Sequence, residues 1–204
     1  TTDGAIFKPT TRNLFAYLGE DWSKYEKLYD AKTDLTAQQK QRVIAFSKLV
    51  TSGSDAEFAS QLSSFLDVDE FARYLAINTW LSNLDSIYSM GHNFYLYLSP
   101  STNRFLILPW DLDLSFGGFG AGAELSIDHP WRGQNRFLER LFQVAEFSKL
   151  YRTRMAEFNA SICQPERLAR QVDETAAVIR PAVLEESDAK LTRFDKTVAG
   201  EALP

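Results

Sequence analysis

The sequence predicts an α+β fold that is mostly helical and contains one small β-hairpin. Between the helical stretches the apolar period changes to two, as in paired strands, over residues 94–98 and 104–108. Long helical stretches beside one short pair of strands are typical of a chain that segregates its helices from its sheet. The helical stretches, recognised by apolar residues at a 3.6-residue period, cover residues 36–51, 55–65, 67–81 and the chain from about residue 134 onward.

Composition narrows the class of protein. The 204 residues are 45% hydrophobic, so we expect a globular chain that forms one domain over residues 1–204. The sequence has no run of about 18 apolar residues and only one cysteine, Cys163, which argues against a membrane span and against an internal disulfide. The net charge is −5 and no Lys/Arg run occurs, which argues against a nucleic-acid partner.

The first elements can be placed by their capping residues. Residues 1–33 mix aromatic residues with Gly and Pro and predict an irregular or short-strand opening segment. Asp34 or Thr36 can cap the helix that follows. Asp67 and Glu70 have the spacing of a capping box, with Asp in place of the usual Ser or Thr, which predicts where the helix over 67–81 begins.

A hairpin over residues 94–108 forms the predicted sheet. Its strands are rich in aromatic and aliphatic residues and are separated by Ser-Pro-Ser-Thr-Asn, which favours a turn. We expect Pro109 to end the second strand and the Gly-rich residues 115–123 to form a flexible or sharply turning loop. The region 34–123 would then form a core, followed by C-terminal helices over 124–204.

Two prolines mark one of these C-terminal helices. Pro165 is expected at the start of a helix, because the first helical turn needs no N–H from this position. Pro181 is expected to kink or end that helix.

The central region is poor in charge. At the chain average of 24% charged residues, residues 82–116 should hold about eight charges. They hold four, which are Asp85, Arg104, Asp111 and Asp113. A carboxylate among apolar residues is costly to keep charged without cations or hydrogen-bond donors, and a divalent metal would compensate both Asp111 and Asp113.

The order of polar residues here favours phosphoryl transfer. Asp85 is followed by His92 and Asn93, then by the hairpin, then by Asp111. Protein kinases use an Asp and then an Asn in the catalytic loop, a short hairpin, and a metal-binding Asp before Phe-Gly. Asp85 and Asn93 are eight residues apart, which is a longer spacing than the kinase motif has, and no Arg precedes Asp85.

Several motifs together carry a resemblance to a known family. They are Leu-Ser-Asn-Leu-Asp85-Ser, Gly91-His92-Asn93-Phe-Tyr-Leu-Tyr, and Arg104-Phe-Leu-Ile-Leu-Pro-Trp-Asp-Leu-Asp-Leu-Ser-Phe-Gly117. With the segments 4–9, 29–33 and 69–78, they make the sequence resemble the CotH family of atypical, spore-coat-type protein kinases. The resemblance covers roughly residues 4–120.

The resemblance implies a role for each residue of the motifs. Asp85 would be the catalytic aspartate, and Asn93 and Asp111 would bind Mg²⁺. Asp113 would be a second metal ligand or a structural acceptor, and Trp110 would offer a flat surface near the adenine of ATP. The implied reaction transfers the γ-phosphate of ATP to a Ser or Thr of a protein substrate, in an exported, cell-envelope or spore-coat setting.

The resemblance also implies a fold, namely a protein-kinase-like C-terminal lobe in which the hairpin carries the metal site. A kinase also needs an N-terminal lobe, and we expect this chain to be a fragment that lacks it and is catalytically incomplete alone. The Gly-rich stretch 117–122 resembles an activation segment. Lys8 and Lys32 could contact phosphates, although a solvated surface role suits each better.

Other interpretations of the same residues stay open. The chain could be a non-catalytic, pseudokinase-like binding module whose carboxylates hold structure, or a metal-dependent hydrolase, which two Asp and a His could also serve. Trp110 could be a core aromatic residue that closes the hairpin. His92 suits a hydrogen-bonding loop residue better than a metal ligand, and His129 suits the surface. The sequence leaves the protein substrate and the oligomeric state undetermined.

Overall fold

The computed structural model describes residues 3–118 and 124–201, which fall into two units, Thr1–Met155 and Ala156–Pro204. Helices account for more than half of the described residues and are accompanied by a three-stranded antiparallel sheet, as an α+β class predicts. Up to the sheet, the elements are β1 (Ala5–Phe7), a 3-10 turn (Trp22–Lys24), α1 (Glu26–Tyr29), α2 (Ala37–Ser52), α3 (Asp55–Phe65) and α4 (Val68–Trp80). The remaining elements are β2 (Phe94–Leu98), β3 (Phe105–Pro109), α5 (Arg136–Gln143), α6 (Ala145–Ala160), α7 (Pro165–Glu186) and α8 (Asp188–Val198).

The predicted hairpin is the β2–β3 pair, and its register follows the alternation in the sequence. Phe94 pairs with Pro109 and Leu98 with Phe105, so Pro109 is the last residue of β3. The side chains of Phe94, Leu96 and Leu98 are buried, while the residues between them are half-buried on the other face. β1 adds a third strand, because Ile6 of the opening segment pairs with Tyr97.

Both outer edges of the sheet are covered, as edge strands generally require. On the β1 side, Lys32 donates its backbone N–H to the carbonyl of Ile6 at 2.8 Å. On the β3 side, Asp67 donates its backbone N–H to the carbonyl of Phe105 at 2.9 Å, and the carboxylate of Glu70 accepts from the N–H of Ile107 at 3.1 Å. The first turn of α4 therefore fixes the position of β3.

The helix starts agree with the capping predictions, with one choice resolved. Thr36, and not Asp34, caps α2 through a capping box with Gln39. Asp67 caps α4 by accepting from the N–H of Glu70 at 3.2 Å. Glu70 does not return a bond to Asp67; its side chain accepts from Ile107 of β3.

The second unit contains α7 and α8. Pro165 lies in the first turn of α7, as predicted. Pro181 lies inside α7, which continues to Glu186, so this proline does not end the helix, and the alternative of a kink at Pro181 stays a prediction. Within this unit Arg180 forms two hydrogen bonds to the carboxylate of Asp195, at 2.9 and 2.8 Å.

The predicted Gly-rich loop is only partly described. Residues 115–118 form turns, while residues 119–123, with Gly120 and Gly122, lie outside the described residues. Among the described residues, the helices are too short or too polar to cross a bilayer.

Candidate active site

A buried carboxylate lies in the loop between α4 and β2. Asp85 is only 7% exposed. The side-chain nitrogen of Asn93, Nδ2, donates to Oδ2 of Asp85 at 2.9 Å and to the backbone carbonyl of Asp85 at 3.1 Å. The structure thus brings together the two residues that the kinase-like order of the sequence singled out.

The second oxygen of this carboxylate has a different environment. Oδ1 of Asp85 is buried and accepts no hydrogen bond from the described residues. Nε2 of His92 lies 3.3 Å away, within ion-pair distance but outside hydrogen-bond geometry. His92 is one-third exposed, as suits a polar loop residue. One oxygen of Asp85 is therefore fixed by Asn93, and the other is buried beside His92 without a hydrogen bond from the described residues.

Backbone geometry links this loop to the end of the hairpin. Asn93 has a left-handed φ of 61°, and its carbonyl accepts the N–H of Trp110 at 3.1 Å. Asp111 also has a left-handed φ, of 53°. Asn and Asp adopt this conformation more readily than other non-glycine residues. The pairing of β2 with β3 therefore places Asn93 beside Trp110, immediately before Asp111.

Asp111 and Asp113 are both exposed. The interpretation that apolar surroundings make these two carboxylates require a metal is therefore wrong, because water hydrates them. The chain leaves the core from Leu108 onward, where Leu108 and Leu112 are 44% and 36% exposed. Burial costs apply to Asp85 alone among the three carboxylates.

The donor chemistry at this end of the hairpin fits Mg²⁺. Asn93, Asp111 and Asp113 offer oxygen ligands, and Mg²⁺ usually takes one or two protein carboxylates, completing its shell with water and substrate phosphates. In the described part of the chain, no three His, Cys, Asp or Glu residues converge to hold a metal unaided.

Trp110 forms an exposed aromatic surface. It is 50% exposed, so the interpretation that it closes the core of the hairpin is wrong. Its ring meets the ring of Tyr95 edge-on, with centroids 5.7 Å apart. Nζ of Lys8 lies 5.9 Å from the centroid of the same Tyr95 ring. Trp110 and Tyr95 thus form a pair of aromatic rings with a lysine near one of them.

Two further residues that the sequence singled out, Lys32 and His129, lie at the surface. Lys32 is exposed and pairs with Asp30 at 2.7 Å. His129 is exposed and packs against the ring of Trp131.

Two contacts that hold the Asp85 loop in place were not predicted from the sequence. Gly91, at a φ of 70°, lies so close to the carbonyl of Thr11 that any side chain would overlap it. The backbone N–H of Arg132 donates to the carbonyl of Tyr88 at 2.7 Å. A glycine before His92 could have indicated a left-handed residue, but its neighbour Thr11 could not be found from local sequence.

Glu70 has the most perturbed carboxyl group near the hairpin. The pKa of Glu70 is raised to about 7, mainly by burial; the hydrogen bond from the N–H of Ile107 opposes this rise, and the negative charge of Asp67 adds to it. Glu70 lies at β3 and not at Asp85, so its role is to hold the strand that leads to Asp111.

Comparison with known proteins yields two matches. A family model described as "CotH kinase protein" matches residues 1–201. The chain is also similar to inner spore coat protein H of Bacillus subtilis (strain 168), with 31% identity over 144 residues, which cover 69% of this chain. The chain spans 39% of the length of that relative.

Proposed function

The chain belongs to the CotH family, and on this basis we propose that Asp85, Asn93 and Asp111 form the phosphotransfer site of an atypical protein kinase. The proposed reaction moves the γ-phosphate of ATP to a Ser or Thr hydroxyl of a protein substrate. One observation carries the proposal: a buried carboxylate whose Oδ2 is held by Asn93 and whose Oδ1 has no hydrogen-bond partner among the described residues.

Oδ1 of Asp85 suits the role of catalytic base. It would orient the acceptor hydroxyl and take its proton while the hydroxyl oxygen bonds to the γ-phosphorus and the bond from that phosphorus to the β–γ bridging oxygen breaks. ADP leaves, and the proton stays on the carboxyl group. Asn93 keeps this carboxylate in one orientation because its amide nitrogen binds both Oδ2 and the backbone carbonyl of Asp85.

Asn93 and Asp111 would hold Mg²⁺ through their side-chain oxygens, with Asp113 as a second ligand or a structural acceptor. A Mg²⁺ ion held by these oxygens together with the nucleotide would supply positive charge against the phosphates. The exposed indole of Trp110 would support the adenine ring, since a flat aromatic surface stacks on any nucleobase. These roles rest on exposure, on the backbone link between Asn93 and Trp110, and on family membership.

The name of the relative supports a proposal about where the chain acts. Because that protein is an inner spore coat protein, we propose that this chain also acts in a spore-coat or cell-envelope setting, on a protein substrate found there.

Isothermal titration of the full-length gene product with Mg-ATP tests the nucleotide site. We expect micromolar binding that is lost in Asp111→Ala and kept in Asp34→Ala, which removes an equally exposed carboxylate far along the chain from the hairpin. If the unmodified protein does not bind Mg-ATP, or if both variants bind alike, the proposed site is wrong.

A further inference from the structure

Asn135 is a buried polar residue that connects the Asp85 loop to a helix. It is 4% exposed and lies immediately before α5. Its Oδ1 accepts the N–H of Leu138 at 3.1 Å, which caps α5. Its Nδ2 donates to the carbonyl of Ile87 at 3.3 Å, two residues after Asp85 and 48 residues earlier in the chain than Asn135 itself. The two ends of one amide therefore bind two different elements.

The orientation of this amide is fixed by its partners. The Leu138 N–H can only donate and the Ile87 carbonyl can only accept. Exchanging the amide oxygen and nitrogen would therefore place two donors face to face at Leu138 and two acceptors face to face at Ile87. A buried residue whose donor and acceptor are both used cannot be replaced by most side chains without leaving a buried polar group unpaired.

A second contact lies beside the first. The N–H of Arg132 donates to the carbonyl of Tyr88 at 2.7 Å, so residues 132–135 bind two successive carbonyls of the loop. The loop is also closed on itself, because Gly91 and Ser89 both donate to the carbonyl of Ser86, at 3.0 and 3.3 Å. Its shape therefore depends on partners at Ile87, Tyr88 and Gly91.

We propose that Asn135 is a positioning residue for Asp85, which holds the loop that carries the catalytic carboxylate by binding the carbonyl of Ile87. It acts through the loop and not on the reacting atoms. The inference rests on the proposed phosphotransfer function, because positioning matters only for a reaction at Asp85. The α5 cap and the loop contact are separable, since they use different atoms of one side chain.

Asn135→Ser separates them. Serine is a good helix cap, but it has no amide group to reach the carbonyl of Ile87. Ser54→Ala is the matched control, because it removes the cap of α3 and touches no part of the Asp85 loop. Amide hydrogen exchange of the full-length protein would follow the peptide that contains residues 86–91.

We expect Asn135→Ser to speed exchange of residues 86–91 about tenfold or more, and Ser54→Ala to leave it unchanged. In phosphotransfer assays, Asn135→Ser should lower kcat by roughly tenfold to a hundredfold with KM for ATP unchanged, because the carboxylate is misplaced while the nucleotide site is intact.

Unchanged exchange at residues 86–91, or equal acceleration in both variants, would overturn the inference, and so would a loosened loop with normal kcat. If the unmodified protein transfers no phosphate, the proposed function fails by itself. The exchange comparison then still decides whether Asn135 holds the loop.

Discussion

Nδ2 of Asn93 lies 2.9 Å from Oδ2 of Asp85 and 3.1 Å from the backbone carbonyl oxygen of the same residue. A single amide nitrogen thus fixes both the side chain and the backbone of Asp85. Because the carbonyl of Asn93 also accepts from Trp110, this residue connects the loop that carries the proposed base with the strand that leads to Asp111.

Asn93→Asp tests this contact without disturbing the backbone. Asp tolerates the left-handed φ of 61° about as well as Asn. The new carboxylate would face Oδ2 of Asp85, so a donor is replaced by a like charge. We expect phosphate transfer to fall at least about a hundredfold and stability to fall by about 1–3 kcal/mol. Steady-state transfer and thermal melting measure these effects, and near-normal transfer would contradict the role given to Asn93.

Gly91→Ala tests how closely the Asp85 loop packs on the opening segment. An added methyl group would overlap the carbonyl of Thr11 at a left-handed φ of 70°. We expect Gly91→Ala to lower the free energy of unfolding by about 3 kcal/mol or more, because backbone strain and steric overlap add together. Gly133→Ala is the control, since Gly133 has a φ of 68° with no atom within 4 Å of its added carbon. Gly133→Ala should lower the free energy of unfolding by about 1 kcal/mol. Equal losses in denaturant unfolding would show that Thr11 does not constrain the loop.

Glu70→Gln tests the raised pKa of Glu70. A carboxyl with a folded pKa of about 7 binds its proton more tightly in the folded state than in the unfolded state. Stability therefore falls as pH rises from the ordinary Glu range to about 7, and stays lower above it. Gln keeps an acceptor for the N–H of Ile107 but cannot ionise.

The free energy of unfolding of Glu70→Gln should therefore match that of the unmodified protein near pH 4 and exceed it by about 1–2 kcal/mol at pH 8, allowing for partial exposure of Glu70. Urea unfolding at both pH values measures the difference. A difference in unfolding free energy that is the same at pH 4 and pH 8 would mean that the pKa of Glu70 is not raised by folding.

Local sequence patterns predicted the hairpin well and the exposure of its end poorly. The alternation over 94–98 specified both the register and the buried face, because a strand has a period of two. Low charge around Asp111 and Asp113 suggested burial, yet Leu108 and Trp110 are exposed. Apolar residues occupy much of any protein surface, so composition alone cannot separate a buried carboxylate from an exposed one.

The sequence predicted which residues form the candidate site but not the tertiary contacts that hold it. The order of Asp85, Asn93 and Asp111 indicated a shared chemistry, and the structure brings Asp85 and Asn93 into contact. Asn135 is recognisable as a helix cap from its position before an amphipathic stretch. Its bond to Ile87 is not recognisable, because it joins residues 48 positions apart through tertiary packing.

Transfer of labelled γ-phosphate from Mg-ATP by the full-length gene product, compared with its Asp85→Asn variant, tests whether Asp85 is the base of a phosphotransfer reaction. We expect label on Ser or Thr of a protein substrate, and at least about a hundredfold less label with Asp85→Asn, whose melting temperature and Mg-ATP binding should be unchanged. Release of free phosphate without labelled protein would indicate a hydrolase, and equal transfer by the variant would show that Asp85 takes no part in the reaction; either result would contradict a kinase that uses Asp85 as its base.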